Sequence, residues 1–322
     1  MGAPKIELHR TRDFGKKLNA TIEFIKENFK PLFKSLFYIS GPFILIGTLL
    51  FSQVYSGFIR RSLNQVNNGF NMEDELLNII SVGLAAAVFL FIGGTMLIAT
   101  VNEYILIYEK KGNEISVEEV WAKVKEKFFS VLGTMIALFV FIVFTYAITV
   151  FIIIFTADAS IALTVILSII CFFFLIYAYI AFSLVFIVRA YEQISIVESF
   201  QRCLFLVKGK WWSTFGLIFV ASLIQSICSW IFFVPWYGLM IYDSLHNLNE
   251  GFVPDRPLYY QVLQTLLLTL YMMSSYILYC IPLVAIAFQY FNLVELKEAR
   301  GLMSKIETLG SDEQKEDDEE HY

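Results

Sequence analysis

Asp243-Ser244-Leu245-His246 sets an acid, a hydroxyl and an imidazole within four consecutive positions. These are the groups of nucleophilic catalysis, in which a base takes the hydroxyl proton and an acid orients the base. Adjacency in sequence does not make a triad, which geometry defines, so the plainer reading is four loop residues. Asn102 and Glu103 stand where a long apolar run ends. A carboxylate at that depth can hold a cation or relay a proton; the plainer reading has it reach the interface or pair with a lysine. Glu119 and Glu198 each follow a serine, Ser116 and Ser195, by three positions. Ser-x-x-Glu is a capping box that starts a helix. Lys210, Trp211 and Trp212 make a cationic and aromatic step into another apolar run, as at a membrane interface. Asn102, Glu103, Glu119, Glu198, Lys210, Trp211 and Trp212 are therefore the candidate functional positions.

Reaction motifs are missing: there is no HExxH, GxSxG, Walker A or GxGxxG pattern. His9, His246 and His321 are too scattered to suggest a metal cluster. Cys171, Cys203, Cys228 and Cys280 form no CxxC pair and read as small packing residues. No enzyme, metal or cofactor is expected.

The elements that position these residues follow from composition. The 322 residues are 57% hydrophobic and 16% charged, with mean hydropathy +0.65, against roughly 25% charged in an average soluble domain. A soluble fold needs more polar surface than this chain contains. A span needs about 20 apolar residues. Six segments qualify, at 35–58, 76–101, 129–155, 161–188, 212–235 and 262–288, and none contains Asp, Glu, Lys or Arg. Their apolar runs are continuous, as in Phe139 to Phe144, without the alternation of a β-barrel. The expected fold class is an all-α polytopic integral membrane protein of six transmembrane helices.

Of the 24 Lys and Arg, all but Arg60, Arg61 and Arg256 fall in the segments expected on one side. The positive-inside rule makes that side cytoplasmic, with both termini there. The polar stretch Met1 to Phe14 is not a signal peptide. Seven of the last eleven residues are acidic, which predicts a disordered tail, and no basic stripe suits nucleic acid. The resulting division is a cytoplasmic segment 1–34, a membrane domain 35–309 and an acidic tail 310–322.

Within the spans, Gln225, Ser229, Ser275 and other uncharged polar groups are expected to hydrogen-bond between helices or to line a path. Pro42 and Pro282 should kink their helices. Gly83, Ala87 and Gly94 suggest a small-residue packing face.

The chain also repeats itself. Residues 115–121, ISVEEVW, answer 194–200, ISIVESF; residues 127–133, KFFSVLG, answer 210–216, KWWSTFG; and Tyr108-Glu109 answers Tyr191-Glu192. The unit reads as an amphipathic cytoplasmic helix followed by a membrane hairpin. The apolar stripes are Phe14, Leu18, Ile22, Ile25 and Phe29 in the first unit and Val117, Val120, Trp121, Val124 and Phe128 in the second. In the third the stripe is Val197, Phe200, Leu204 and Val207. Such helices lie along an interface and anchor the next span, or dock lipid heads or a partner.

The third unit, Glu198-Ser199-Phe200-Gln201-Arg202-Cys203-Leu204 and then Lys208-Gly209-Lys210-Trp211-Trp212, resembles the membrane domain attached to some bacterial glycerophosphodiester phosphodiesterases. Stand-alone six-span proteins of unassigned function are similar. The specific likeness covers about thirty residues and implies an integral membrane fold in a lipid or envelope context. It does not imply phosphodiesterase activity, because no soluble region is long enough for that catalytic domain.

The expected function is a non-catalytic scaffold or accessory protein of the bacterial inner membrane. It would sit in the lipid bilayer and meet a membrane or cytoplasmic protein partner through its inner helices and tail. The alternative is a transporter or lipid-handling protein, which predicts a lateral opening or polar cavity between spans.

Overall fold

The computed structural model describes residues 6–64, 72–112, 114–157, 160–250, 257–299 and 303. The acidic tail, the Ser244 and His246 side chains and parts of both expected outer connections lie outside the described residues. Among the described residues every regular element is helical: α1 (Phe14–Glu27), α2 (Phe29–Ile39), α3 (Gly41–Asn64), α4 (Met72–Lys111), α5 (Val117–Ala157), α6 (Ile161–Phe182), α7 (Val185–Glu192), α8 (Ile196–Val207), α9 (Trp211–Glu250), α10 (Leu258–Leu278) and α11 (Cys280–Glu298).

Five helical stretches are long and apolar enough to cross a membrane, and a sixth if α2 and α3 count as one bent span. That pair bends by 59° at Ser40. Pro42 lacks an amide hydrogen and its ring crowds the carbonyl four residues earlier, so the helix breaks just before it. Pro282 acts alike: α10 ends at Leu278, four residues before it. A third break, at Ser183 and Leu184 between α6 and α7, has no proline. There the Ser183 hydroxyl donates to the Ile180 carbonyl at 2.8 Å, competing with the backbone ladder.

The segment expected as a separate interfacial helix at 117–128 is instead the first three turns of α5. Nothing between Phe128 and Phe129 breaks a helix, so apolar and charged turns run on in one rod. The apolar stripe of α1 runs on to Phe29 at the start of α2, and Phe14 and Phe29 are exposed, whereas Lys17, Ala20, Thr21 and Phe24 are buried against the bundle.

Helix α11 forms the centre. Every residue from Cys280 to Val294 is buried, because α1, α4, α7, α8 and α9 all touch it. Helices α5 and α6 form the rim. They pair with each other and expose Phe139, Phe144, Phe151, Phe172 and Phe173, which suits hydrocarbon and not water.

Helices α3 and α4 approach most closely at glycines. A Cβ on Gly47 would stand 2.8 Å from Leu90 Cγ, and one on Gly93 would stand 2.8 Å from Ile44 Cγ1. The expected face of Gly83, Ala87 and Gly94 is not this one: both glycines have open space around them and Ala87 is exposed. The packing face runs instead through Ala86, Leu90 and Gly93, the stripe next to it on the same helix.

Candidate functional site: a crevice with one polar and one apolar end

Glu103 sits two residues past the end of the uncharged run of α4 and is only 5% exposed. No hydrogen bond or ion pair among the described residues engages its carboxylate. It lines a cavity of about 260 Å³ with Glu126, Lys127, Thr134, Phe186 and Arg189. Of the α5 residues here, Glu126 and Lys127 belong to its charged first turns, which the unbroken rod carries up beside Glu103. Arg189 comes from α7, where the break at Ser183 lets the chain continue along the bundle. Its guanidinium donates to the Ser130 carbonyl and the Thr134 hydroxyl through Nη1 and to the Ile194 carbonyl at 3.4 Å through Nε. That leaves Nη2 for another acceptor. Lys127 and Lys123 lie 3.2 and 2.9 Å from the Glu126 carboxylate, so Glu126 is satisfied within α5.

One helical turn further along the same helices lies a second cavity, of about 340 Å³. Ile98 of α4, Leu138 of α5, Phe182 of α6 and Leu283 of α11 are among its walls, and they are almost wholly apolar. Phe186 lines both cavities. Thr134 and Leu138 are consecutive turns of α5, as are Phe186 and Arg189 of α7. The two spaces therefore lie end to end, with Phe186 as their shared wall, along one crevice line between the α5–α6 rim and the body made by α4, α7 and α11. Small-molecule sites are mostly apolar clefts with a few placed polar groups, and this one has that division along its length.

The other sequence candidates lie elsewhere. Asn102 is buried with its Nδ2 unpartnered, but it is not a wall of either cavity. Glu198 closes the full capping box on α8, receiving the Ser195 amide at 2.9 Å while its own amide donates to Ser195 Oγ at 3.3 Å. These bonds hold the Glu198 carboxyl below the usual carboxylate range. In the second repeat only half the box forms: the Glu119 amide donates to Ser116 Oγ at 3.2 Å, while its carboxylate takes Lys111 at 2.5 Å. Trp211 stacks between Tyr177 and Phe215, Trp212 is exposed, and Lys210 is exposed at the turn before α9. These five thus cap helices and seat the α9 start. Of the polar groups inside spans, Gln225 reaches Ser275 across α9 and α10 at 3.3 Å, while Thr145 and Thr149 bond back to their own helix.

A second polar centre, which sequence reasoning missed, ties the N-terminal segment to the bundle. His9 Nε2 lies 3.0 Å from both Glu109 Oε1 and the Tyr191 hydroxyl, and the Ile6 amide donates to the Tyr108 hydroxyl at 2.9 Å. The two repeat pairs, Tyr108-Glu109 and Tyr191-Glu192, therefore meet at one end of the bundle. Arg202 forks onto Glu192 at 2.9 to 3.0 Å and also pairs with Glu298. Lys17 donates to Gln289 Oε1 at 2.7 Å and to Ser213 Oγ at 3.0 Å, and Gln289 donates on to Thr214 at 2.9 Å. The only signal for Lys17 was its spacing of four from Thr21, a polar pair on a face that looked solvated.

No three His, Cys, Asp or Glu side chains converge among the described residues. The chain belongs to a family described as a domain of unknown function, DUF7847, which matches residues 42–293. That range holds every wall of the crevice and leaves out α1. No curated protein and no solved structure matches the chain.

Proposed function

We propose that this is an integral membrane protein that binds a lipid in the crevice, with the head among Glu103, Lys127 and Arg189 and a chain along Leu138, Phe182 and Leu283. The observation that carries this reading is the shared wall at Phe186, which sets a charged space and an apolar space end to end. A lipid has that same division. The apolar cavity lies against the rim helices, whose outer faces suit hydrocarbon, so a chain can enter sideways from the bilayer. The likeness to a membrane domain attached to glycerophosphodiester phosphodiesterases supports a lipid context.

In this reading the polar end faces the cytoplasm of a bacterial inner-membrane protein, since the basic residues cluster there. The three hairpins then enter from that side, with α1 and α8 along the interface; exposed Val197 and Leu204 on α8 support its contact with lipid. The scaffold reading draws on the inner helices and on the acidic tail, the latter outside the described residues. The crevice favours lipid handling over it, because a scaffold has no use for a cavity between spans.

The test is native mass spectrometry of the protein from its own membranes. Leu138→Trp should fill the apolar end and abolish retained lipid, while Phe139→Trp, on the exposed side of α5, should leave it unchanged. Equal lipid retention by both variants and wild type would contradict the reading.

A further inference from the structure

Glu103 is a buried carboxylate in the polar end, with no partner among the described residues. Burying an ionised carboxylate in that state is costly, and the neighbouring cations offset the cost only in part, without a bond to it: Lys127 and Lys123 both lie against Glu126, and Arg189 is anchored on α5. Among the described residues, the cavity walls offer one unpartnered acceptor, the Glu103 carboxylate, and donors with capacity to spare on Arg189, at Nη2, and on Lys127, whose ammonium meets Glu126 alone. An anionic head alone would satisfy only these cations and add repulsion at Glu103. A cationic head alone would do the reverse.

Resting on the lipid-binding reading above, we propose that the crevice selects a phospholipid whose head carries a primary amine. The ammonium donates to Glu103, and the phosphate accepts from Arg189 Nη2 with Lys127 nearby. Charge-assisted hydrogen bonds of this kind are stronger than neutral ones, and Glu103 needs a head that brings both a positive charge and a hydrogen to donate. A quaternary ammonium has no N–H, so phosphatidylcholine fits the charge but not the bond. Phosphatidylglycerol has hydroxyls to donate but no positive charge.

The experiment equilibrates the full-length protein with vesicles of equimolar phosphatidylethanolamine, phosphatidylcholine and phosphatidylglycerol, extracts it and weighs the bound lipid. Wild type should hold phosphatidylethanolamine over the other two by roughly tenfold, the scale of one charged hydrogen bond. Glu103→Gln should lose that preference while still holding lipid. The wild-type ratio needs no variant, so a folding defect in Glu103→Gln leaves the test intact. Lipid bound in the vesicle proportions, or a preference for the amine that survives Glu103→Gln, overturns the selectivity and leaves lipid binding standing. Absence of any lipid from wild type brings down both.

Discussion

Arg202 shows how charge is handled where α7, α8 and α11 meet. Its guanidinium meets Glu192 in a fork and Glu298 beside it, and those carboxylates hold its proton more tightly than usual, chiefly through Glu298. All three side chains are mostly buried. Arg202→Ala leaves two carboxylates facing each other in a covered site and should cost about 3 kcal/mol in thermal or denaturant unfolding. Arg202→Lys keeps the charge but not the planar fork, so it should fall between Ala and wild type. An Ala variant as stable as wild type would show that the fork adds nothing.

Lys17 is the opposite case, only 2% exposed with amide and hydroxyl partners and no carboxylate in contact. Burial first, and then the positive charge of Lys210, lower its pKa, while Asp13 opposes them. The unfolded chain therefore binds a proton here more readily than the folded one. Stability should rise with pH between the lowered folded value and the ordinary lysine value, as the buried ammonium is discharged. Lys17→Met should lack that part of the pH slope in a melting series, whatever its absolute stability. Parallel slopes for the two proteins would mean that Lys17 keeps its ordinary pKa.

At the level of elements, helix contact is set by which stripe faces inward. The α3–α4 contact admits no side chain at Gly47, where Leu90 backbone and side-chain atoms would all lie within 2.9 Å of an added Cβ. Gly47→Val should destabilise by about 1–3 kcal/mol through overpacking. Gly94→Val meets open space and should be near neutral. Comparable losses at both positions, read from melting in detergent, would place the contact face elsewhere.

The apolar runs made the spans legible in sequence, because charge exclusion marks the hydrocarbon whatever the packing. Pro42 and Pro282 marked two of the three breaks. The glycine face was not legible: Gly83, Ala87 and Gly94 and the true stripe at Ala86, Leu90 and Gly93 are both rich in small residues, and only the neighbour chooses between them. Glu103 stood out as an acid at the end of an apolar run. Arg189 did not, since a basic residue at the end of a span is ordinary and its value here comes from α5, 59 residues away at Ser130. On the N-terminal helix the apolar stripe of Phe14, Leu18 and Ile22 was legible but the face that meets the bundle was not: the bundle offers Gln289 and Ser213, so the polar face with Lys17 turns in.

On the scale of the whole molecule, one buried helix and two rim helices divide the work. Helix α11 gathers α1, α4, α7, α8 and α9 around it and fixes the positions of Leu283 and Ile286 on the inner wall of the crevice, beside Tyr279 at its start. The α5–α6 hairpin supplies the outer wall and is otherwise bathed in the solvent of the bilayer. It carries a continuous charged-to-apolar gradient on α5, from Glu126 and Lys127 to Phe141 and Ile142, which the unbroken helix lays along the crevice. The hairpin packs on α2, α4 and α7 with its inner side and leaves its outer side exposed. Lipid handling needs such a wall, and a fully packed bundle would lack one.

The most direct measurement is a cryo-EM map of the full chain in nanodiscs made from its native lipids. Lipid binding predicts elongated density between α5–α6 and α11, passing Phe186, with a head beside Glu103 and Arg189. A crevice closed by Phe186 packed between Leu138 and Leu283, with the polar end holding water alone, would contradict it.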